Sequence, residues 1–167
     1  MSSQLKIKSL EDFLPLLHQW QSAGETIVFT NGCFDLVHIG HVDYLEKARA
    51  LGDKLVVGIN TDDSVARFKG LSRPIAKENS RYRVLAAMEF VDAVIPFNDD
   101  TPLNLIESIQ PSILVKGNDY LAEETDTKSP KYIVGSAIVR ANGGKVKTIE
   151  LVKGYSTSQL VEKIKNT

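Results

Sequence analysis

Two histidines, a carboxylate, a thiol and two glycines fall within one short run, Thr30-Asn31-Gly32-Cys33-Phe34-Asp35-Leu36-Val37-His38-Ile39-Gly40-His41. The run follows Thr26-Ile27-Val28-Phe29, which reads as a buried strand, and leads into Val42-Asp43-Tyr44-Leu45-Glu46-Lys47-Ala48-Arg49, whose spacing is helical. Both imidazoles therefore stand where a strand gives way to a helix. A helix start presents unpaired backbone N–H groups and the positive end of the helix dipole, which suits it to holding phosphate oxygens. His38 and His41 would add movable donors, and Gly32 and Gly40, lacking a Cβ, would let backbone approach a ligand closely. The run predicts a nucleotide-phosphate site that includes Gly32, Cys33, Phe34, Asp35 and Gly40, with Asn31 a candidate for substrate contact.

Other residues supply the charge such a site needs. Lys69 and Arg73, in Lys69-Gly70-Leu71-Ser72-Arg73-Pro74, can neutralise a triphosphate or an incoming phosphate. Lys116 and Gly117 close an apolar run, and Ser156, Thr157 and Ser158 open a final helix with hydroxyl and backbone donors. A sugar phosphate attacking the α-phosphate of a nucleoside triphosphate is already an anion near neutral pH, so no strong base is required. The rate then depends on bringing two polyanions together and on stabilising charge on the equatorial oxygens and the departing pyrophosphate. Donors and cations meet that demand, with Mg2+ carried on the substrate phosphates rather than in a protein cage.

Plainer readings stand beside these. The histidines could satisfy a buried polar contact, or ligate zinc, for which no nearby Cys or His supplies a clear third ligand. Asp35 could brace its loop. Lys69 and Arg73 could be solvated surface charges, and Cys33 could be a packed small apolar side chain rather than a nucleophile. Ser156 to Ser158 would cap a helix whether or not they bind phosphate. Asp119 and Tyr120 are either substrate contacts or a turn Asp followed by a packed Tyr, and His18, near Trp20, reads as structural or exposed.

The elements that position these residues alternate along the chain. Ser9-Leu10-Glu11-Asp12 reads as a capping box for a helix over 9–22, with Pro15 shifting or bending its start. Strands are expected at 26–29, 54–60, 93–97, 113–116 and 145–151, and helices at 42–49, 81–90, after Thr101-Pro102, at 135–141 and through Leu160, Val161 and Ile164. Thr101 would be the N-cap of its helix and Pro102 its first residue. The stretches 61–80 and 121–130 read as polar, the second as mobile. This alternation predicts an α/β chain with a Rossmann-like, doubly wound parallel sheet of five strands in one domain spanning 1–167. Sheets of this kind bind ligands at the carboxyl ends of their strands, where the motif-bearing loops fall.

With 167 residues, 43% hydrophobic, the chain has room for a real core, and its formal charge of −1 gives no general attraction to nucleic acid or anionic membrane. A single cysteine cannot form an internal disulfide, and no spanning segment or secretory signal is visible, so a cytoplasmic location is expected.

Gly32 to His41 resembles the signature of the His-x-Gly-His nucleotidyltransferase superfamily. Together with 69–74, Asp100-Thr101-Pro102, 114–120, Gly143-Gly144 and Gly154-Tyr155-Ser156-Thr157-Ser158, it looks like the adenylyltransferase part of ADP-heptose synthase. The resemblance implies transfer of AMP from ATP to D-glycero-β-D-manno-heptose 1-phosphate, giving ADP-heptose for lipopolysaccharide core biosynthesis. It implies His38 and His41 as the catalytic histidines and Lys69 as a lysine that approaches the phosphates. It further implies Ser156, Thr157 and Ser158 as a serine-threonine signature, a homodimer, and a separate kinase and phosphatase upstream. Arg81 aligns with an arginine common to the family, although it could simply pair with Glu78 or Glu89. A glycerol-3-phosphate cytidylyltransferase is similar in the first and last motifs, and a non-catalytic nucleotide-binding regulatory module is the rival from another class. Residues 122–131 are individual to this chain.

Overall fold

The computed structural model describes residues 2–167. Strands β1 (Ile27–Gly32), β2 (Lys54–Asn60), β3 (Ala93–Phe97), β4 (Ile113–Gly117) and β5 (Lys145–Ile149) form one parallel sheet in the order β3-β2-β1-β4-β5. Helices α1 (Leu10–Ser22), α2 (Ile39–Arg49), α3 (Asp62–Lys69), α4 (Glu78–Ala86), α5 (Leu103–Ile109), α6 (Ser136–Ala141) and α7 (Thr157–Lys165) complete the chain. This is the Rossmann-like doubly wound sheet that the alternation of strands and helices predicts.

Its strands are apolar nearly throughout because both faces are covered. Ile27 and Phe29 of β1 pack with Phe13 and Leu17 of α1, Ile106 and Ile109 of α5, and Val139 of α6. Val28 faces the other way, into Leu45 and Ala48 of α2 and Leu85 of α4. Each fully buried side chain of this size contributes about 1.5–3 kcal/mol. From β1 the chain winds outward through β2 and β3, then crosses back to place β4 on the other side of β1. The strand order thus reverses between β1 and β4, which opens a crevice at their carboxyl ends.

Several boundaries differ from expectation. β1 runs on to Gly32 and α2 starts at Ile39, so less chain separates them. The polar stretch 61–80 contains α3, whose N-cap Thr61 accepts from Ser64 N–H and whose first turn holds Asp62 and Asp63. Only Ser64 and Val65 of this helix are buried, too few to show an apolar period. α4 occupies Glu78–Ala86 rather than 81–90, and β5 stops at Ile149. Pro102, not Thr101, sits at the N-cap of α5, and Thr101 Oγ1 accepts from Leu103 N–H at 3.5 Å. Ser9 caps α1 as expected, and Pro15 is accommodated without moving the helix start. The segment expected to be mobile is tied at its stem by Leu121 N–H to Lys131 C=O at 3.0 Å and by the Arg140 guanidinium on the Ala122 carbonyl. Among the described residues no helix is long and apolar enough to cross a membrane.

Candidate active site

His38 is the N-cap of α2. Its Nδ1 accepts the Gly40 N–H at 3.1 Å, while His41 Nδ1 accepts the His38 N–H at 3.4 Å, a reciprocal capping box built from two imidazoles. A neutral imidazole whose Nδ1 accepts must carry its proton on Nε2. Both rings therefore present an Nε2–H donor, their centroids 4.0 Å apart. Burial keeps both histidines below the ordinary value, and for His41 burial, with the charges of His38 and Lys69, lowers it to about 4. The expectation of movable donors gives way to fixed ones, since capping holds each ring by its other nitrogen. The glycines also serve differently from expectation. A Cβ on Gly40 would meet the His38 ring at 3.0 Å, and one on Gly32 would meet the Phe34 ring at 3.1 Å. Both leave room for a neighbouring side chain rather than for a ligand alone, and Phe34, at φ 46°, turns its ring back over Gly32.

A pH dependence of stability follows. An unfolded histidine titrates near 6.5, whereas folded His41 does so near 4. Between those values the unfolded chain binds a proton that the folded chain refuses, so stability is full above pH 6.5 and falls as pH drops toward 4. His38 acts in the same direction. Melting temperatures measured from pH 7 to pH 5 should decline, with a shallower decline for His41→Asn; equal slopes would show that His41 keeps its ordinary affinity for protons.

Asp35 occupies the position of a brace. Its carboxylate accepts from Arg73 Nε at 2.8 Å, Ile75 N–H and Ala76 N–H, with the side chain only 1% exposed. Burial alone would raise its pKa, but the two backbone donors and the Arg73 guanidinium outweigh this and hold it below the usual value. Of the two readings of Asp35, brace and ligand contact, these bonds favour the brace, since its oxygens are committed to the loop after α3. Arg73, expected to neutralise a phosphate or to be a solvated surface charge, is held in the same pair. Arg81 is entirely buried and pairs with neither Glu78 nor Glu89. Its guanidinium donates to Cys33 C=O at 2.6 Å, Ala76 C=O at 3.1 Å and Asp62 Oδ1 at 2.9 Å. Glu78 instead accepts the Asp62 N–H. One buried cation thus ties the end of β1 to the start of α3, whose far end carries Lys69.

Across the strand reversal, Lys116 Nζ donates to the backbone and side-chain oxygens of Asn31 at 3.2 and 3.3 Å and lies 5.1 Å from the Tyr120 ring centre. Burial lowers its pKa, opposed by Asp119. Cys33 is half-buried, its Sγ 3.8 Å from Asn60 Oδ1, and burial raises its pKa despite Lys69 and Arg81, which leaves a thiol rather than a nucleophilic thiolate. Ser156 caps α7 through Gln159 N–H, so the first-turn N–H groups of Thr157 and Ser158, which have no intrahelical acceptor by position, remain for a ligand.

Apart from the buried Arg81, these residues meet in one cleft of 410 Å3, which gathers the sequence candidates Asn31 to Asp35, His38, Gly40, His41, Lys69, Arg73, Lys116, Gly117, Asp119, Tyr120 and Ser156 to Ser158. It also takes in Tyr44, Leu151, Val152 and Tyr155, which sequence reasoning passed over. Tyr44 has a positioning role, its hydroxyl bridging Thr30 Oγ1 at 2.7 Å and Val115 C=O at 3.1 Å, which pins α2 to β1 and β4. Tyr155 stacks on His38 at 6.4 Å. A second lobe of 370 Å3 shares Asn31, Gly32, Cys33, Lys69, Lys116 and Tyr120 and extends toward the end of β3. Among the described residues no group of three His, Cys, Asp or Glu side chains is placed to hold a metal ion.

Residues 29–163, which carry this whole site, match the profile of the cytidylyltransferase-like family. The chain belongs to that family. It is a nucleotidyltransferase. Among curated relatives, the bifunctional protein HldE of Methylobacillus flagellatus is 50% identical over 159 residues, which is 95% of this chain and 31% of that protein. HldE of Citrifermentans bemidjiense is 50% identical over 162 residues, 97% of this chain and 32% of that protein. The chain thus spans about a third of the length of the relatives it matches. A crystal structure of the lipopolysaccharide core biosynthesis protein from Thermoplasma volcanium GSS1 is similar at a TM-score of 0.60 and 29% identity, covering 80% of this chain and 100% of that one.

Proposed function

We propose that this nucleotidyltransferase transfers AMP from ATP to D-glycero-β-D-manno-heptose 1-phosphate, giving ADP-heptose and pyrophosphate. The similarity to HldE and to a lipopolysaccharide core biosynthesis protein supports the acceptor. The observation that carries the chemistry is the pair of neutral imidazoles whose Nε2–H groups are left unpartnered among the described residues, set in one cleft with Lys69, Lys116 and the start of α7. An oxygen of the sugar phosphate attacks the α-phosphorus in line, forming one P–O bond as the bond to the bridging oxygen of pyrophosphate breaks. No proton need be removed from the nucleophile, so fixed donors serve better than a base. His38 and His41 donate to the phosphate oxygens on which charge grows, Lys69 and Lys116 offset the charge of the two anions, and Thr157 and Ser158 hold the triphosphate tail. Magnesium would come bound to the ATP phosphates and offset their charge there, since the buried carboxylate of Asp35 is already satisfied and no group of three His, Cys, Asp or Glu side chains among the described residues is placed to hold the ion.

Pyrophosphate release with ATP and heptose 1-phosphate, set against CTP and glycerol 3-phosphate, tests the reading. A preference for the second pair would make the chain a glycerol-phosphate cytidylyltransferase, and ATP binding with no turnover on any phosphate acceptor would make it a regulatory module. Lys69→Ala should raise the KM for ATP about tenfold or more, the worth of one charge-assisted contact. Unchanged ATP kinetics would return Lys69 to the solvent.

A further inference from the structure

The lobe that runs from Lys69 toward β3 differs in chemistry from the one that holds the histidines. Beyond the shared wall it adds Asp100, Thr101 and Tyr132 over a floor of Ile133 and Val134, with Phe68 at its side. Those additions bring one carboxylate, paired by Arg67, and no free cation, so this end of the cleft offers a phosphate no partner and suits a neutral part of whatever enters it. The cations lining this lobe are Lys69 and Lys116, both on the wall it shares with the first.

Its polar groups have hydrogen-bonding capacity left over. Asp100, its side chain 80% exposed, sets Oδ1 against Arg67 Nε at 2.8 Å, and Arg67 also bonds the Asn98 carbonyl; among the described residues Asp100 Oδ2 has no partner. Thr101 Oγ1 accepts weakly from Leu103 N–H and keeps its O–H to donate. Tyr132 follows the loop closed by the Leu121–Lys131 hydrogen bond, which brings a phenol to the same lobe. A free carboxylate oxygen, an alcohol and a phenol beside aromatic and aliphatic faces form the set that recognises a polyol, accepting and donating to its hydroxyls while its C–H faces pack on carbon.

We propose that this lobe holds the ring and free hydroxyls of a sugar phosphate, anchored by its phosphate at Lys69 and Lys116, and that Asp100, Thr101 and Tyr132 set the specificity for that sugar. The assignment rests on the acceptor reading of the proposed function, and it places the acceptor on the β3 side of Asn31 and the nucleotide on the α7 side.

The test uses the full chain with Asp100→Asn, Thr101→Val and Tyr132→Phe. Calorimetric Kd and steady-state KM are measured for heptose 1-phosphate, KM for ATP, and Kd for glycerol 3-phosphate, which carries the phosphate but lacks the ring. Expected is a rise of about tenfold in Kd and KM for the heptose phosphate on Asp100→Asn, with smaller rises for the other two. ATP KM and glycerol 3-phosphate Kd should stay within about twofold of wild type, since neither ligand reaches these groups. Heptose phosphate binding unchanged in all three variants, or ATP KM rising in step with it, would overturn the assignment. Should the wild-type chain bind heptose phosphate yet release no pyrophosphate, the proposed function fails while the binding measurements still decide the lobe.

Discussion

His41→Asn is expected to lower kcat by about 100- to 1000-fold, the usual cost of removing one preorganised donor to transition-state charge, while the protein stays folded. His41 has two separable jobs. Its Nδ1 accepts the His38 N–H and closes the start of α2, whereas the Nε2–H of this cleft-lining ring has no partner among the described residues. Asparagine places an acceptor near Nδ1 and nothing at the Nε2 position, so the cap survives and the donor is lost. Because that donor acts on charge that grows only in the transition state, kcat and kcat/KM should fall together with KM for ATP nearly unchanged. His41→Gln reverses the substitution, reaching the Nε2 position at the expense of the cap, and should retain more turnover with a lower melting temperature. Wild-type turnover in the asparagine variant would remove His41 from the chemistry.

The largest stability effect is expected at Arg81. Arg81→Leu strands Asp62 and two carbonyls around a site where the native guanidinium has no solvent exposure. Breaking a buried pair by removing one partner costs about 3–5 kcal/mol, and the 23% exposure of the Asp62 side chain puts this case at the lower end. At a chain of this size, about 3 kcal/mol corresponds to a fall of about 10 °C in melting temperature. Turnover should fall as well, because the Cys33 carbonyl at the end of β1 and the start of the Lys69-bearing helix lose their common anchor. Differential scanning calorimetry and kcat on the same preparation check both. Arg81→Lys restores charge but not the three-way fork, and should recover part of the stability and little of the rate. An unaltered melting temperature for Arg81→Leu would mean that the neighbouring groups find other partners.

How much of this was legible beforehand varies with the distance between partners. The strand-to-helix step at 26–49 showed in local periodicity, as did the cap at Ser156. The brace and the anchor could not: Arg73 lies 38 positions from Asp35, and Arg81 lies 48 positions from Cys33. Residue type announces that a carboxylate will seek a donor, but not which of several will arrive. Arg81 illustrates this, since Glu78 is the neighbour one helical turn away and Asp62, held in place by Glu78 itself, is the partner. For α3 the signal was present in Thr61-Asp62-Asp63-Ser64, a capping sequence, and was masked by a helix that buries little apolar surface.

Sequence alone determined the class of fold and the chemical inventory. Near-continuous apolar runs alternating with helical spacing admit few arrangements other than a covered parallel sheet, and such a sheet gathers its loops at one end. Tertiary structure decided what each group in that inventory is free to do. It tied Asp35 and Arg73 to each other, used one nitrogen of each histidine to start a helix and so left the other as a fixed donor, and set a lobe lined by Asp100, Thr101 and Tyr132 beside the one that holds the histidines. These outcomes depend on which polar groups compete for the same neighbours once the chain is packed, and a hydrogen bond made inside the fold commits the atom that makes it while leaving the group's other atoms for a ligand.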